Sequence, residues 1–200
     1  MQHLFHSGVL VLPRANLIFL LDSSTDVTSS AFKEQKNFIK SIVEHFQIGV
    51  NETQVAVIRY SSSASPIISF NTYDNLLNLL RGIENIQYYA GDRRLDAALK
   101  EANKVRERAR PGVPTYVIVL TGGRQSVTSV PTPLNRAAQP LLNSNARMIV
   151  VGVGSRVDYQ ELRSMAERDG DVFKFSPDEL PQQAPLFVVY MTSPEGKIIT

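Results

Sequence analysis

Apolar positions along the chain alternate between continuous runs and helical stripes. Asn16–Leu21 (NLIFLL) is an unbroken apolar run ending at Asp22, the pattern of a strand buried on both faces. A hydroxyl-rich loop, DSSTDVTSS, follows. Next comes a stripe of Phe32, Ile39, Ile42, Val43 and Phe46 at amphipathic-helix spacing. Gln54–Tyr60 (QVAVIRY) predicts a second strand and Pro66–Phe70 (PIISF) a short third one. The SSSAS-Pro connection between them predicts a hairpin with its second strand on a sheet edge. Leu76, Leu77, Leu79 and Leu80 mark a short helix. Arg93–Arg108 predicts another, with Leu95, Ala98, Leu99, Ala102 and Val105 facing inward. Thr115–Leu120 (TYVIVL) and Met148–Val153 (MIVVGV) are further buried-type strands. Between them Leu134–Leu142 predicts a helix interrupted at Pro140. A helix over Asp158–Arg168, a strand over Asp171–Phe175 and an amphipathic segment from Asp178 towards Met191 complete the series. In that last segment Pro181 and Pro185 predict loop for the first turns.

Strands alternating with helices predict an α/β fold. The expected sheet is doubly wound and mainly parallel, six-stranded, with one antiparallel edge strand and helices on both faces. Ligands of such sheets bind outside the carboxyl ends of the strands. The loops after Leu21, Ile86 and Leu120 all open onto that edge. The expected organisation is an N-terminal extension over 1–14, one domain over 15–190 and a tail or linker over 191–200.

Composition narrows the function. The chain has 200 residues, 43% of them hydrophobic and 20% charged, enough for one core without staples. It has no cysteine, which removes thiol nucleophiles, thiolate metal sites and disulfides. Three histidines, His3, His6 and His45, leave little imidazole chemistry, and no phosphate-binding loop is present, so no enzyme activity is expected. The net charge of +2 argues against a nucleic-acid partner, and no apolar run is long enough to span a membrane. The first 13 residues lack the basic start and small-residue cleavage site of a signal peptide.

The chemistry collects in the first loop, where Asp22 and Ser24 form a hard-oxygen pair of the kind that holds Mg²⁺. FLLDSS, QVAVIRYSSSASPIISF, AALKEA, VIVLTGGRQS and MIVVGVGS follow one another in an order that resembles the von Willebrand factor A (integrin I-like) domain. The pattern is most similar to the matrix A domains of collagen VI and matrilin type. That family's metal-ion-dependent adhesion site reads D-x-S-x-S in the first loop, with a Thr from the second and an Asp from the third. Carried onto this sequence, Asp22 and Ser24 match. Asp26 stands at the second Ser, Arg93 at the Thr and Gly122 at the Asp. The resemblance therefore implies a degenerate, vestigial metal site at Asp22, Ser24 and Asp26. An inward-folded Arg93 guanidinium is expected to pair with the two acids in place of a metal. A one-residue slip gives the alternative: Asp92 joins Asp22, Ser24 and Asp26 in an acid-rich set for Mg²⁺ or Ca²⁺.

Other features fill in the expected surface. Arg93, Arg94, Tyr88, Tyr89 and Gly122 lie at the ligand-facing edge that the resemblance implies. Lys100, Lys104 and Arg108 fall at i, i+4 and i+8 of the predicted helix. They read as a solvated face or a weak glycosaminoglycan contact. Asn51 opens an N-x-T glycosylation acceptor, NET. Gly152 and Gly154 lack the third glycine of a dinucleotide fingerprint, Val157 standing in its place, and read as turn glycines. The resemblance implies a secreted, non-enzymatic adhesion module of an extracellular-matrix protein. It would bind a matrix protein such as collagen, or other A domains, without a cofactor. The alternatives are an intracellular scaffold domain of the same family and metal-dependent adhesion through the acid-rich site.

Overall fold

The computed structural model describes residues 12–127 and 130–193. Its strands are β1 (Asn16–Asp22), β2 (Gln54–Tyr60), β3 (Ala64–Ile68), β4 (Thr115–Thr121), β5 (Ala146–Val153) and β6 (Val172–Phe175). They form one sheet in the order β3-β2-β1-β4-β5-β6, in which only β3 runs antiparallel. The helices are α1 (Ser29–Val43), α2 (Leu76–Glu84), α3 (Leu95–Arg106), α4 (Leu134–Leu142), α5 (Tyr159–Arg163) and α6 (Ala184–Thr192).

Every residue of β1 is buried, because the strand lies mid-sheet with helices over both faces. The period-2 alternation sends Leu17, Phe19 and Leu21 into the core beneath α1, α2 and α6. Ile18 and Leu20 enter the opposite core beneath α3, α4 and α5. The strand order reverses between β1 and β4, so the loops leaving their carboxyl ends diverge and open a crevice there. A polar clamp secures β1 against α1. The backbone N–H of Asp22 donates to Gln35 Oε1 at 3.2 Å, and Gln35 Nε2 donates to the Asp22 carbonyl at 3.2 Å.

The far end of the sheet is tied by arginines. Arg110 donates to the Ala15 carbonyl (3.1 Å), Asn16 Oδ1 (3.1 Å) and the Val50 carbonyl (3.2 Å). Arg147, near the start of β5, donates to buried Asp171 (2.9 Å) and to the Tyr190 and Met191 carbonyls near the end of α6 (3.3 and 3.2 Å). The described chain therefore enters β1 and leaves α6 at the same pole. Residues 1–11 and 194–200, with His3 and His6, lie outside the described residues. Met191, expected in the tail, is a buried residue of α6.

Several element boundaries differ from expectation. β3 begins two residues early, because Ser65 and Ala64 pair with Arg59 and Tyr60 across a tight hairpin. α3 is shorter at both ends, so Arg108 lies beyond the helix and shares no helical face with Lys100 and Lys104. α4 runs through Pro140 without a break. The residue is exposed in the last turn, where water can satisfy the carbonyl that loses its donor. The expected Asp158–Arg168 helix stops at Arg163. Arg168 and Arg147 then hold Asp171 in a short 3-10 turn before β6. Pro181 and Pro185 sit in the first turns of a 3-10 turn (Leu180–Gln183) and of α6. There a missing N–H breaks no hydrogen bond, so helix replaces the expected loop.

Candidate functional site

Asp22 ends β1 with no exposed surface, at the reversal of strand order. A buried carboxylate needs donors for both oxygens. Its Oδ1 accepts from the Ser24 backbone N–H at 2.9 Å. Its Oδ2 accepts from the Gly122 backbone N–H and from Arg93 Nε, both at 2.8 Å. Arg93, only 3% exposed, reaches in from the loop before α3, and Nη1 also donates to the Arg124 carbonyl at 2.9 Å. Burial works against the guanidinium charge, but Asp22 and the other acids facing it leave the Arg93 pKa above its ordinary value. Tyr60, buried below Asp22, donates to the Leu120 carbonyl at 2.8 Å. Burial, and after it the Asp22 charge, pushes its phenol well above the usual range.

Asp26 forms the outer part of the network. It is 54% exposed and accepts from Arg93 Nη1 at 3.4 Å and from Arg156 Nη1 at 3.3 Å. Glycines make room for the arginine. A Cβ on Gly123 would lie 2.7 Å from Arg93 Nη1. One on Gly122 would lie 2.6 Å from a methyl of buried Val27. The register sets Arg93, not Asp92, against Asp22, while the Asp92 backbone N–H donates to Ser62 Oγ at 2.8 Å.

This donor set does not fit a divalent cation. Mg²⁺ and Ca²⁺ require converging oxygens, whereas both Asp22 oxygens face N–H donors and a guanidinium fills the approach. Ser24 Oγ is buried without a partner among the described residues, as a ligand hydroxyl would be, but so is Arg93 Nη2, which can only donate. Among the described residues no three His, Cys, Asp or Glu side chains cluster as metal ligands.

The remaining edge residues divide between surface and scaffold. Tyr89 is 61% exposed, with the Arg59 guanidinium 4.4 Å from its ring centre, and Tyr88 donates to the Ser24 carbonyl at 3.2 Å. Arg94 turns away from Asp22 and forms a two-point pair with Asp96 at 2.9 and 3.0 Å. Asp96 is fully buried and also accepts the Thr132 backbone N–H at 3.0 Å, which fastens the loop after β4. Burial alone would raise its pKa, but the Arg94 and Thr132 bonds hold it below the usual carboxylate range. Lys100 donates to Thr132 Oγ1 (2.6 Å) and Lys104 to Glu101 (2.8 Å), so both lysines have partners within the chain. Asn51 is exposed in the loop between α1 and β2, at the pole opposite this edge. Gly154 adopts φ 95°, and Leu162 lies where a Gly152 side chain would extend, so both glycines serve the backbone.

Gln35, Asp96, Arg156 and Glu161 were not singled out from the sequence. Gln35 and Asp96 carried a signal, a polar residue on the inward stripe of an amphipathic helix. Arg156 and Glu161 meet the edge only through tertiary folding.

A family model described as von Willebrand factor type A domain matches residues 16–185. The chain is 29% identical over 176 residues to the human collagen alpha-6(VI) chain, covering 84% of this chain and 8% of that protein. It is 31% identical over 155 residues to chicken matrilin-1, covering 76% of this chain and 30% of that protein. Proximal thread matrix protein 1 from the mussel byssus superposes with a TM-score of 0.82 at 20% identity, over 90% of this chain and 48% of that one. The chain thus spans less than half the length of each.

Proposed function

The chain belongs to the von Willebrand factor type A family, and from that membership we propose that it is a non-enzymatic adhesion module of a secreted matrix protein. Its partner is a matrix protein such as a collagen, or a sibling A domain, bound through the Asp22–Arg93 edge without a metal. Relatives named as a collagen chain and a matrilin support the matrix setting. A guanidinium buried against Asp22 where a metal-competent relative would need a cation supports cation-free binding. This is the observation that carries the reading. The non-enzymatic part is supported by the scarcity of acid–base groups: His45 is the one imidazole among the described residues, just past α1 at the opposite pole.

The test is capture of purified collagen and matrix extract by the immobilised chain, with and without EDTA, alongside metal analysis of the protein. Equal capture in both arms and substoichiometric metal are expected. Capture lost in EDTA and restored by Mg²⁺ would overturn cation-free binding. The extracellular setting also predicts a glycan on Asn51 after expression in a secretory host, and an unmodified Asn51 there would count against it.

A further inference from the structure

The pole opposite the Asp22–Arg93 edge gathers cations that the fold leaves short of counter-charge. Arg14 lies just before β1, and Arg106, Arg108 and Arg110 run from the end of α3 into the turn before β4. The two segments are bound together. Arg110 donates to the Ala15 and Val50 carbonyls and to Asn16 Oδ1, and the Asn16 N–H donates to the Pro114 carbonyl at 2.8 Å. Arg14 and Arg108 are exposed and take part in no ion pair among the described residues. Acids are few here: Glu107 lies 4.0 Å from Arg106, Glu52 faces Arg110, and Glu101 is taken by Lys104. Burial, and after it the Arg14 charge, lowers the Arg110 pKa, as expected of like charges held together. Arg106 Nε adds a buried donor with no partner among the described residues. The surface is open, since Pro111, Gly112 and Pro114 are exposed and a Cβ on Gly112 would meet nothing within 4 Å.

Guanidinium forks bind oxyanions at two points. Cations drawn from two segments on open surface suit an extended polyanion, which engages several at once, better than a small anion. Resting on the matrix reading, we propose that this pole binds a sulfated glycosaminoglycan chain, with Arg14 and Arg108 as its exposed anchors. Lys100 and Lys104, on the flank of α3, contribute little because Thr132 and Glu101 hold them. Polysaccharide and protein partner then occupy opposite ends of the sheet and do not compete.

The test measures affinity for a labelled heparin fragment by fluorescence anisotropy in about 0.15 M NaCl. Arg14→Gln/Arg108→Gln is compared with Lys100→Gln/Lys104→Gln, which removes the same net charge elsewhere. Arg110 is left in place because it ties β1 to its neighbouring loops. The pole variant is expected to bind about 10–30-fold more weakly than the wild type, the effect of two cations facing a polyanionic surface. The flank variant should stay close to the wild type. Equal losses in the two variants would reduce the effect to net charge and overturn the site, as would a wild type that does not bind. Phosphatidylserine/phosphatidylcholine vesicles and duplex DNA are the competing polyanions, and tighter binding to either than to heparin would overturn the polysaccharide assignment. Matrix-protein capture should be equal in the wild type and the pole variant. If the wild type captures matrix protein but not heparin, the adhesion reading stands without the pole site.

Discussion

Replacing Arg93 by Met tests the buried pair directly, because the thioether fills much of the same space and removes only the charge and its donors. Asp22 would keep the Ser24 and Gly122 N–H groups but lose Arg93 Nε at 2.8 Å, with no exposed surface through which water could compensate. Two unit charges about 4 Å apart attract by about 4 kcal/mol at an effective dielectric constant near 20. Breaking one side of a buried pair costs about 3–5 kcal/mol, because the remaining charge stays desolvated. For a domain of this size each kcal/mol lowers Tm by about 2–4 °C, so a fall of about 6–20 °C is expected. Adding Asp22→Asn removes the stranded charge but sets an amide NH2 against the Ser24 or Gly122 N–H, so the double variant should lose less than the sum of the two single variants rather than return to wild-type stability. The assay is urea denaturation of the wild type, both single variants and the double variant as a cycle, repeated in about 0.5 M NaCl, where a buried pair is screened little. A loss below about 1 kcal/mol for Arg93→Met, or the same loss for Arg93→Met in the wild-type and Asp22→Asn backgrounds, would refute the claim that this pair holds the loops together.

Three further outcomes are expected. Gly123→Ala places a Cβ 2.7 Å from Arg93 Nη1; it should cost about 1–3 kcal/mol in the wild type and clearly less in the Arg93→Met background, by thermal denaturation. Glu161 accepts the Gln125 backbone N–H at 2.7 Å, yet burial raises its pKa despite that bond. A carboxyl with a raised folded pKa opposes folding as pH climbs past its unfolded value. Glu161→Gln should therefore match the wild type near pH 4 and exceed it near pH 7, and equal stability at both would refute this. Lys104→Glu/Arg108→Glu should elute from heparin at lower salt than the wild type if a glycosaminoglycan is a weak partner, and unchanged elution removes it from the partner list.

The fold was legible because its central strands carry their burial in composition. In NLIFLL, TYVIVL and MIVVGV polar groups are confined to the first residues, Asn16, Thr115 and Tyr116, and the runs became β1, β4 and β5 within two residues. Boundaries failed where tertiary contacts outweighed local preference. Asp171, expected in a strand, is held in a turn by Arg147 and Arg168. α5 ends five residues early, where Ser164 caps it through its backbone. At the edge, the resemblance set Arg93 against Asp22 and Asp26 but left a one-residue slip to Asp92 open, and only the folded path of the loop before α3 decides between them. That Arg94 would instead serve Asp96, and that Arg156 would cover Asp26, depends on loop paths no local pattern encodes.

Entry to β1 and exit from α6 at one pole has a mechanical meaning. Tension applied through flanking segments enters and leaves there, beside Arg110 and Arg147. The Asp22–Arg93 edge lies off the line of force, shielded by the length of the strands between. Under stretch, the tethers near the ends of β1 and α6 carry the load first, and the opposite rim keeps its shape until they yield.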